Sequence, residues 1–250
     1  MLTLERHQMI LDLLQEKEIV RIQEIVEATG ASDSTIRRDL TELGEQRRLK
    51  RVHGGAALLS SKTEEPSVLE KAGKHEQEKK AIARYAASIV KEKDSIYIDA
   101  GTTTYHMLDY LPENIIVVTN GVDIALQLMK RKIKTILLGG ELKPGTLALV
   151  GREAVNVISQ YRFDKCFLGI NGVDFKHGLT TPDPEEAHVK QLALSFSDER
   201  FVLCDSNKFS RVTFAKVAEL AQVTIITDSR LDETERKLYQ KLTNVKVVTT

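Results

Sequence analysis

Ready-made reactive groups are scarce in this chain of 250 residues. Its two cysteines, Cys166 and Cys204, each sit in an apolar run, Cys166-Phe167-Leu168 and Phe201-Val202-Leu203-Cys204. That setting predicts buried strand residues and argues against a redox or thiolate-metal role. The histidines, His7, His53, His75, His106, His177 and His188, show no metal-ligand spacing, so no metal centre is expected. Nucleophile elbows of the Gly-x-Ser-x-Gly type are absent, as are a Walker A Gly-Lys-Ser/Thr and a Gly-x-Gly-x-x-Gly fingerprint. No resident cofactor is implied. No apolar run approaches the ~18 residues of a membrane span. The start, Met1-Leu2-Thr3-Leu4-Glu5-Arg6, lacks the basic and apolar regions of a signal peptide, so a cytoplasmic protein is expected. Net charge is also absent: 36 Lys and Arg balance 36 Asp and Glu. Global attraction to a polyanion is thereby excluded, and only local charge can act.

What is present is enough apolar residue (42 %) for a real core and enough charge (29 %) for a solvated surface. The length suits a small domain followed by a medium one. Residues 3–58 carry three helical patterns. Ile10, Leu13 and Leu14 stripe the first, with Thr3 as a candidate N-cap; Ile22, Ile25 and Val26 stripe the second. Thr29-Gly30-Ala31 then predicts a tight turn with glycine in a left-handed conformation. Ser32 is placed to cap a third helix, with Ile36, Leu40 and Leu43 inward. Two short helices joined by a glycine-containing turn form a helix-turn-helix pattern. Ser34, Thr35, Arg37 and Arg38 fall near the start of the third helix and off its apolar stripe, where a recognition helix meets base edges and phosphates. Leu49-Lys50-Arg51-Val52 alternates apolar and basic, as a short strand would, and Ile19-Val20 is a candidate partner for it. Gly54-Gly55 permits a turn or a close backbone approach. A three-helix bundle with a solvated basic face is the alternative.

The charge distribution supports the nucleic-acid reading. Residues 1–33 hold three basic and seven acidic residues, a local charge of −4, whereas residues 34–62 hold seven basic and three acidic, +4. Positive charge is thus concentrated on the candidate recognition helix and wing, where it would release counterions from phosphates.

Residues 1–58 are therefore expected to form one domain and 59–75 a linker, which is polar and contains Pro66. From 76 to 250, after a helix from about Glu76 to Lys91, strands and helices alternate. Apolar runs cover 95–99, 115–119, 135–138, 165–170, 201–205, 223–227 and 245–248. Near-continuous apolar strands alternating with helices predict an α/β domain with a parallel sheet, whose ligands bind at the carboxyl ends of strands. Those ends are polar. Asp99-Ala100-Gly101-Thr102-Thr103-Thr104 combines a carboxylate, a permissive glycine and three hydroxyls at a helix start, a pattern suited to a phosphate monoester. It also reads as an ordinary threonine-capped helix. Asn120, Gly172 and Lys208 lie at other strand ends. In the stretch 178–190, Glu186 and Lys190 share a helix face, either as a surface ion pair or as a lysine reaching an anionic ligand beside an orienting carboxylate.

Glu5-Arg6, Ser34-Thr35-Ile36-Arg37-Arg38-Asp39-Leu40 and Leu49-Lys50-Arg51-Val52-His53-Gly54-Gly55-Ala56 resemble the N-terminal signature of the DeoR family of bacterial transcriptional repressors. The resemblance implies a winged helix-turn-helix on double-stranded operator DNA, with Lys50, Arg51 and His53 in the wing. Val118-Thr119-Asn120, Leu138-Gly139-Gly140, and the stretches 99–104, 164–169, 180–190 and 205–209 are similar to that family's sensor domain. The sensor in turn resembles ribose-5-phosphate isomerase and related sugar-phosphate isomerases. A phosphorylated sugar is the implied effector, its phosphate on Gly101 to Thr104. The stretches 99–104, 163–165 and 180–187 resemble those of Gram-positive fructose-operon repressors, which implies fructose 1-phosphate; repressors of lactose and tagatose use are similar. Paired half-sites imply a homodimer or homotetramer.

Two rival classes remain: an active isomerase fused to a DNA-binding domain, and a DNA-binding module answering to a protein partner. The resemblance implies that an isomerase would carry its proton-transferring glutamate immediately before Lys190. Val189 stands there instead and cannot take a proton. No catalytic residue is therefore assigned.

Overall fold

The computed structural model describes residues 2–17, 19–46, 48–52, 54–58 and 62–249. The chain divides into two compact units, 1–61 and 62–250. The first contains α1 (Thr3–Lys17), β1 (Ile19–Arg21), α2 (Ile22–Thr29), α3 (Asp33–Glu45), β2 (Leu49–Val52) and β3 (Gly55–Leu58). Ile10, Leu14, Ile25, Ile36, Leu40 and Leu43 are fully buried and form its core. Gly30 closes α2 at φ 67°, and its N–H donates to Val26 O over 2.8 Å. Ser32 caps α3 by accepting from Thr35 N–H.

Two local expectations need correcting. Thr3 is already inside α1 rather than capping it. β1 pairs not with β2 but with β3, in the order β1-β3-β2. The glycines decide this: a Cβ on Gly55 would lie 2.2 Å from Val20 O, so only glycine admits β3 beside β1. Gly54, at φ 75°, turns the β2–β3 hairpin.

The second unit opens with the short α4 (Val68–Ala72) and α5 (Glu76–Ser88). Then follow β4 (Ser95–Ile98), α6 (Thr102–Tyr105), β5 (Ile116–Thr119), α7 (Val122–Lys130), β6 (Lys134–Leu137), β7 (Glu141–Lys143), β8 (Ala148–Val150) and α8 (Arg152–Ile158). β9 (Phe163–Gly169), β10 (Gly172–Asp174), β11 (Gly178–Thr181), α9 (Pro184–Ser195), β12 (Ser197–Leu203), β13 (Ala215–Ala218), β14 (Thr224–Asp228), α10 (Glu233–Tyr239) and β15 (Asn244–Val248) complete it.

Seven strands form one parallel sheet in the order β15-β14-β12-β9-β4-β5-β6. The central strand β4 is buried on both faces because both are covered. Ile96 and Ile98 enter the cluster built with α5 and α7, whereas Tyr97 enters the cluster built with α8, α9 and α10. Phe167 and its neighbours Cys166 and Leu168 divide in the same way. Both cysteines are buried, and burial pushes the Cys166 thiol up to about 11. A small antiparallel sheet, β10-β11-β13, and the hairpin β7-β8 lie outside the main sheet. Among the described residues no helix is long and apolar enough to cross a membrane.

The strand order reverses between β4 and β9, because β5 and β6 extend one side of β4 while β9, β12, β14 and β15 extend the other. The carboxyl ends of β4 and β9 therefore flank a topological switch point. Residues 62–75, expected to belong to the linker, lie within the second unit. Val68 N–H donates to Gly145 O over 2.8 Å, and Phe214 N–H to Lys62 O over 3.0 Å.

Candidate nucleic-acid interface and effector site

Asp39 fixes α3 against α1. Its buried carboxylate accepts from Arg6 Nε at 2.5 Å and Arg6 Nη2 at 2.9 Å, and His7 Nε2 lies 3.2 Å away. Burial opposes ionisation here, but the Arg6 and His7 contacts outweigh it and hold the carboxyl below its ordinary range. With that clamp in place, Ser34, Arg37 and Arg38 face solvent and Thr35 is half-buried. Ser32 Oγ lies 3.0 Å from Ser34 Oγ and 2.8 Å from Thr35 Oγ1, so the capping hydroxyl also groups these two.

The arginines divide by role. Arg37 pairs with Asp33 one turn earlier, both well exposed. Such a pair contributes little to stability and exchanges readily for a phosphate. Arg38 and Lys50 are exposed and form no ion pair with another described residue. Arg51 turns back onto α3, where its Nη1 donates to Arg37 O at 2.9 Å and to Thr41 Oγ1 at 3.0 Å. It therefore braces the wing on the recognition helix. His53 lies outside the described residues.

In the second unit, Asp99 follows β4 and is buried, as is Lys190 on α9; the Lys190 ammonium donates to Asp99 Oδ2. The same oxygen accepts Gly169 N–H over 3.0 Å, from the end of β9. Asp99 thus ties the two strands of the switch point together. Its Oδ1 is buried without a partner among the described residues. Burial works against the charge of Lys190, but Asp99 and Glu186 outweigh it and keep the ammonium protonated. Burial raises the Asp99 carboxyl, against the pull of Lys190.

Glu186, one helical turn from Lys190, is also buried. Its Oε1 accepts the Thr146 hydroxyl at 2.8 Å and lies 3.6 Å from Lys143 Nζ. Lys143 in turn pairs with Asp183, whose carboxylate caps α9 by accepting from Glu185 and Glu186 N–H. The alternative of an exposed surface pair between Glu186 and Lys190 does not apply, since both side chains are enclosed.

The three threonines separate as well. The Thr104 hydroxyl, 2.7 Å from Asp99 O and 2.8 Å from Gly101 O, donates within its own loop. Those of Thr102 and Thr103 have no partner among the described residues. The α6 helix spans only Thr102–Tyr105, so the loop offers backbone N–H groups and hydroxyls rather than a long helix dipole. Gly101 is extended at φ 170°. Asn120 Oδ1 accepts Ala100 N–H over 2.9 Å, holding the loop from β5. Gly172 has a packing reason instead: a Cβ there would lie 2.6 Å from Arg211 O and from Thr180 Oγ1. Lys208 stands at the same sheet edge, after β12, beside buried Asp205. Burial opposes ionisation of Asp205, but Lys208, His75 and Lys79 outweigh it and keep its carboxyl below the ordinary range.

Sequence reasoning overlooked Lys143 and Thr146, which stand in no strand-end or helix-face pattern.

The two halves of this arrangement match known families. Residues 6–62 match the DeoR-like helix-turn-helix domain, and residues 74–229 match the DeoR C terminal sensor domain. The chain belongs to the DeoR family of transcriptional repressors of sugar metabolism. It is 48 % identical over 250 residues to the Bacillus subtilis uncharacterized HTH-type transcriptional regulator FruR, covering 99 % of each chain. It is 36 % identical over 236 residues to the lactose phosphotransferase system repressor of Staphylococcus epidermidis, with 92 % and 93 % covered. With the Escherichia coli glycerol-3-phosphate regulon repressor it shares 35 % over 231 residues, 90 % of each. Among solved structures, a D-ribose-5-phosphate isomerase in complex with phospho-erythronic acid aligns over 54 % of both chains, with 16 % identity and a TM-score of 0.40.

Proposed function

We propose that this DeoR-family chain represses a sugar-utilisation operon and is released from its operator by a phosphorylated sugar bound at the carboxyl edge of the second unit. The observation that carries the effector half is the buried Lys190–Asp99 pair at the switch point, where neither Asp99 Oδ1 nor the Thr102 and Thr103 hydroxyls have a partner among the described residues. A buried polar group without a partner costs stability and favours a ligand that supplies one. Sugar hydroxyls donate to Asp99, while Gly101, Thr102 and Thr103 receive the phosphate and Lys190 supplies charge. Glu186 orients Lys143 and Thr146 around the same edge.

In the first unit, Ser34, Thr35, Arg37 and Arg38 contact the major groove, and Lys50 and His53 the flanking backbone. The active oligomer is a homodimer or homotetramer, which pairs two heads with two half-sites in the cytoplasm. The effector stabilises the state whose heads no longer match the half-site spacing, so it must bind that state more tightly. The chain is a sensor rather than an isomerase, because fully buried Val189 occupies the position next to Lys190 where a proton-transferring base would be needed.

The resemblance of residues 99–104, 163–165 and 180–187 to fructose-operon repressors favours fructose 1-phosphate. Similarity to a lactose phosphotransferase system repressor supports a second reading, in which another sugar phosphate acts. Fluorescence anisotropy on DNA from upstream of its own operon, with fructose 1-phosphate and with free fructose as control, tests both. Release by fructose 1-phosphate alone is the expected outcome. Release only by a different sugar phosphate selects the second reading, and turnover of ribose 5-phosphate would overturn the sensor assignment.

A further inference from the structure

The opening segment of the second unit, before α4, enters the effector site. Glu65 is largely enclosed, with side-chain exposure of 13 %. Its Oε1 accepts Lys71 Nζ at 2.7 Å and Asn171 Nδ2 at 3.0 Å. Asn171 stands just past the end of β9, at the switch point, and its Oδ1 accepts the Thr181 hydroxyl at 2.9 Å. Two residues after Pro66, Val68 N–H is held by Gly145 O, next to the Thr146 that donates to Glu186. Glu65 also contributes to keeping Lys190 and Lys143 protonated, so its charge is felt inside the site. Its second oxygen, Oε2, is buried and has no partner among the described residues, as is the case for Asp99 Oδ1.

Two buried carboxylate oxygens, Asp99 Oδ1 and Glu65 Oε2, thus lack donors among the described residues. A phosphate cannot satisfy them, since it is itself an anion; a polyol can, since each hydroxyl donates one hydrogen bond. We propose that Glu65 is a ligand of the sugar moiety of the effector, its Oε2 accepting a sugar hydroxyl while the phosphate lies away from it on the Gly101–Thr103 loop. This rests on the reading that the second unit binds a sugar phosphate. It adds that sugar identity is sensed by the opening segment of the second unit, ahead of α4. Charge-assisted acceptance of a hydroxyl discriminates strongly between a sugar that carries it and one that does not.

Calorimetric titration of the full chain with a panel of sugar phosphates, fructose 1-phosphate first, and with inorganic phosphate provides the test. The variants are Glu65→Gln, Glu65→Ala and Lys71→Ala, each checked for an unchanged melting profile of the second unit; Glu65→Gln covers the case in which Glu65→Ala fails to fold. If the wild type binds no sugar phosphate, the effector reading itself falls, and this proposal with it. Where the wild type binds, both Glu65 variants should weaken the sugar phosphate by about tenfold or more. Inorganic phosphate should be held as well as before, and Lys71→Ala, which frees the strap but keeps the acceptor, should stay within about threefold of wild type. Glu65→Gln binding the sugar phosphate within about twofold of wild type would overturn the proposal. A loss in Lys71→Ala as large as in Glu65→Gln, or an equal loss for inorganic phosphate, would overturn it too, because Glu65 would then act only as a tether or a general charge.

Discussion

Lys190 and Asp99 are ion-paired where the strand order of the sheet reverses, and Asp99 passes that constraint to the end of β9 through Gly169 N–H. An enclosed pair of this kind is expensive to break, because the survivor keeps its charge and loses its partner. Lys190→Met should destabilise the second unit by about 3–5 kcal/mol and abolish effector response, leaving operator affinity intact. Adding Asp99→Leu should recover most of the stability and none of the response. Thermal melts together with anisotropy titrations check this; recovery of the response in the double variant would remove the pair from effector binding.

Arg38 and Arg51 should separate cleanly. Arg38→Ala is expected to cost about 1–3 kcal/mol of operator binding, with Arg37→Ala acting in the same direction. Lys50→Ala should weaken all DNA alike and flatten the salt dependence by about one phosphate contact. Arg51→Ala should instead lower the melting temperature of the first unit, since two hydrogen bonds from wing to helix are lost. Titrations at several salt concentrations, paired with melts, distinguish base readout, phosphate contact and bracing.

Asp39 predicts a pH dependence. Its carboxyl is held below the ordinary value by Arg6 and His7 against the cost of burial, so the folded state binds this proton more weakly than the unfolded chain. The stabilisation is fully present above the unfolded carboxylate value of about 3.9. It is lost as pH falls through the depressed folded value. Asp39→Asn should flatten the acid limb of the stability curve of the first unit. An unchanged acid limb would show that other carboxylates govern it.

Thr103 and Thr104 are adjacent and should behave oppositely. Thr104→Val removes a buried donor from the loop carbonyls and should cost about 1–3 kcal/mol of stability. Thr103→Val should leave the melting temperature nearly unchanged and abolish induction. A fully inducible Thr103→Val protein would move the phosphate elsewhere.

All seven strands of the main sheet were legible from apolar runs; in β4 the run is unbroken because Ile96 and Ile98 are buried on one face and Tyr97 on the other. β7 was not legible: Glu141-Leu142-Lys143 is polar and partly exposed, and it is a strand only because β8 returns beside it. β11 was hidden for a related reason, since Gly178-Leu179-Thr180-Thr181 reads as a loop until β10 and β13 pair with it. At the site, Asp99 and Asn120 were visible as polar residues at the ends of apolar runs, and Lys190 through the helix face it shares with Glu186. Glu65 was not. Its partner Asn171 lies 106 residues away, and no local pattern records a hydrogen bond of that separation.

The strand pairing that closes the first unit, Ile19 with Ala57, spans 38 residues, whereas the central strand β4 must wait for β9, pairing Ile96 with Lys165 across 69, before the main sheet can form. Folding speed falls as contacts grow less local, and a chain emerging from the ribosome folds its beginning first. The DNA-binding head should therefore be finished while the sensor domain is still being translated. On the proposed reading, a prematurely terminated chain ending before β9 would carry a folded head without its sensor, and no sugar could act on it.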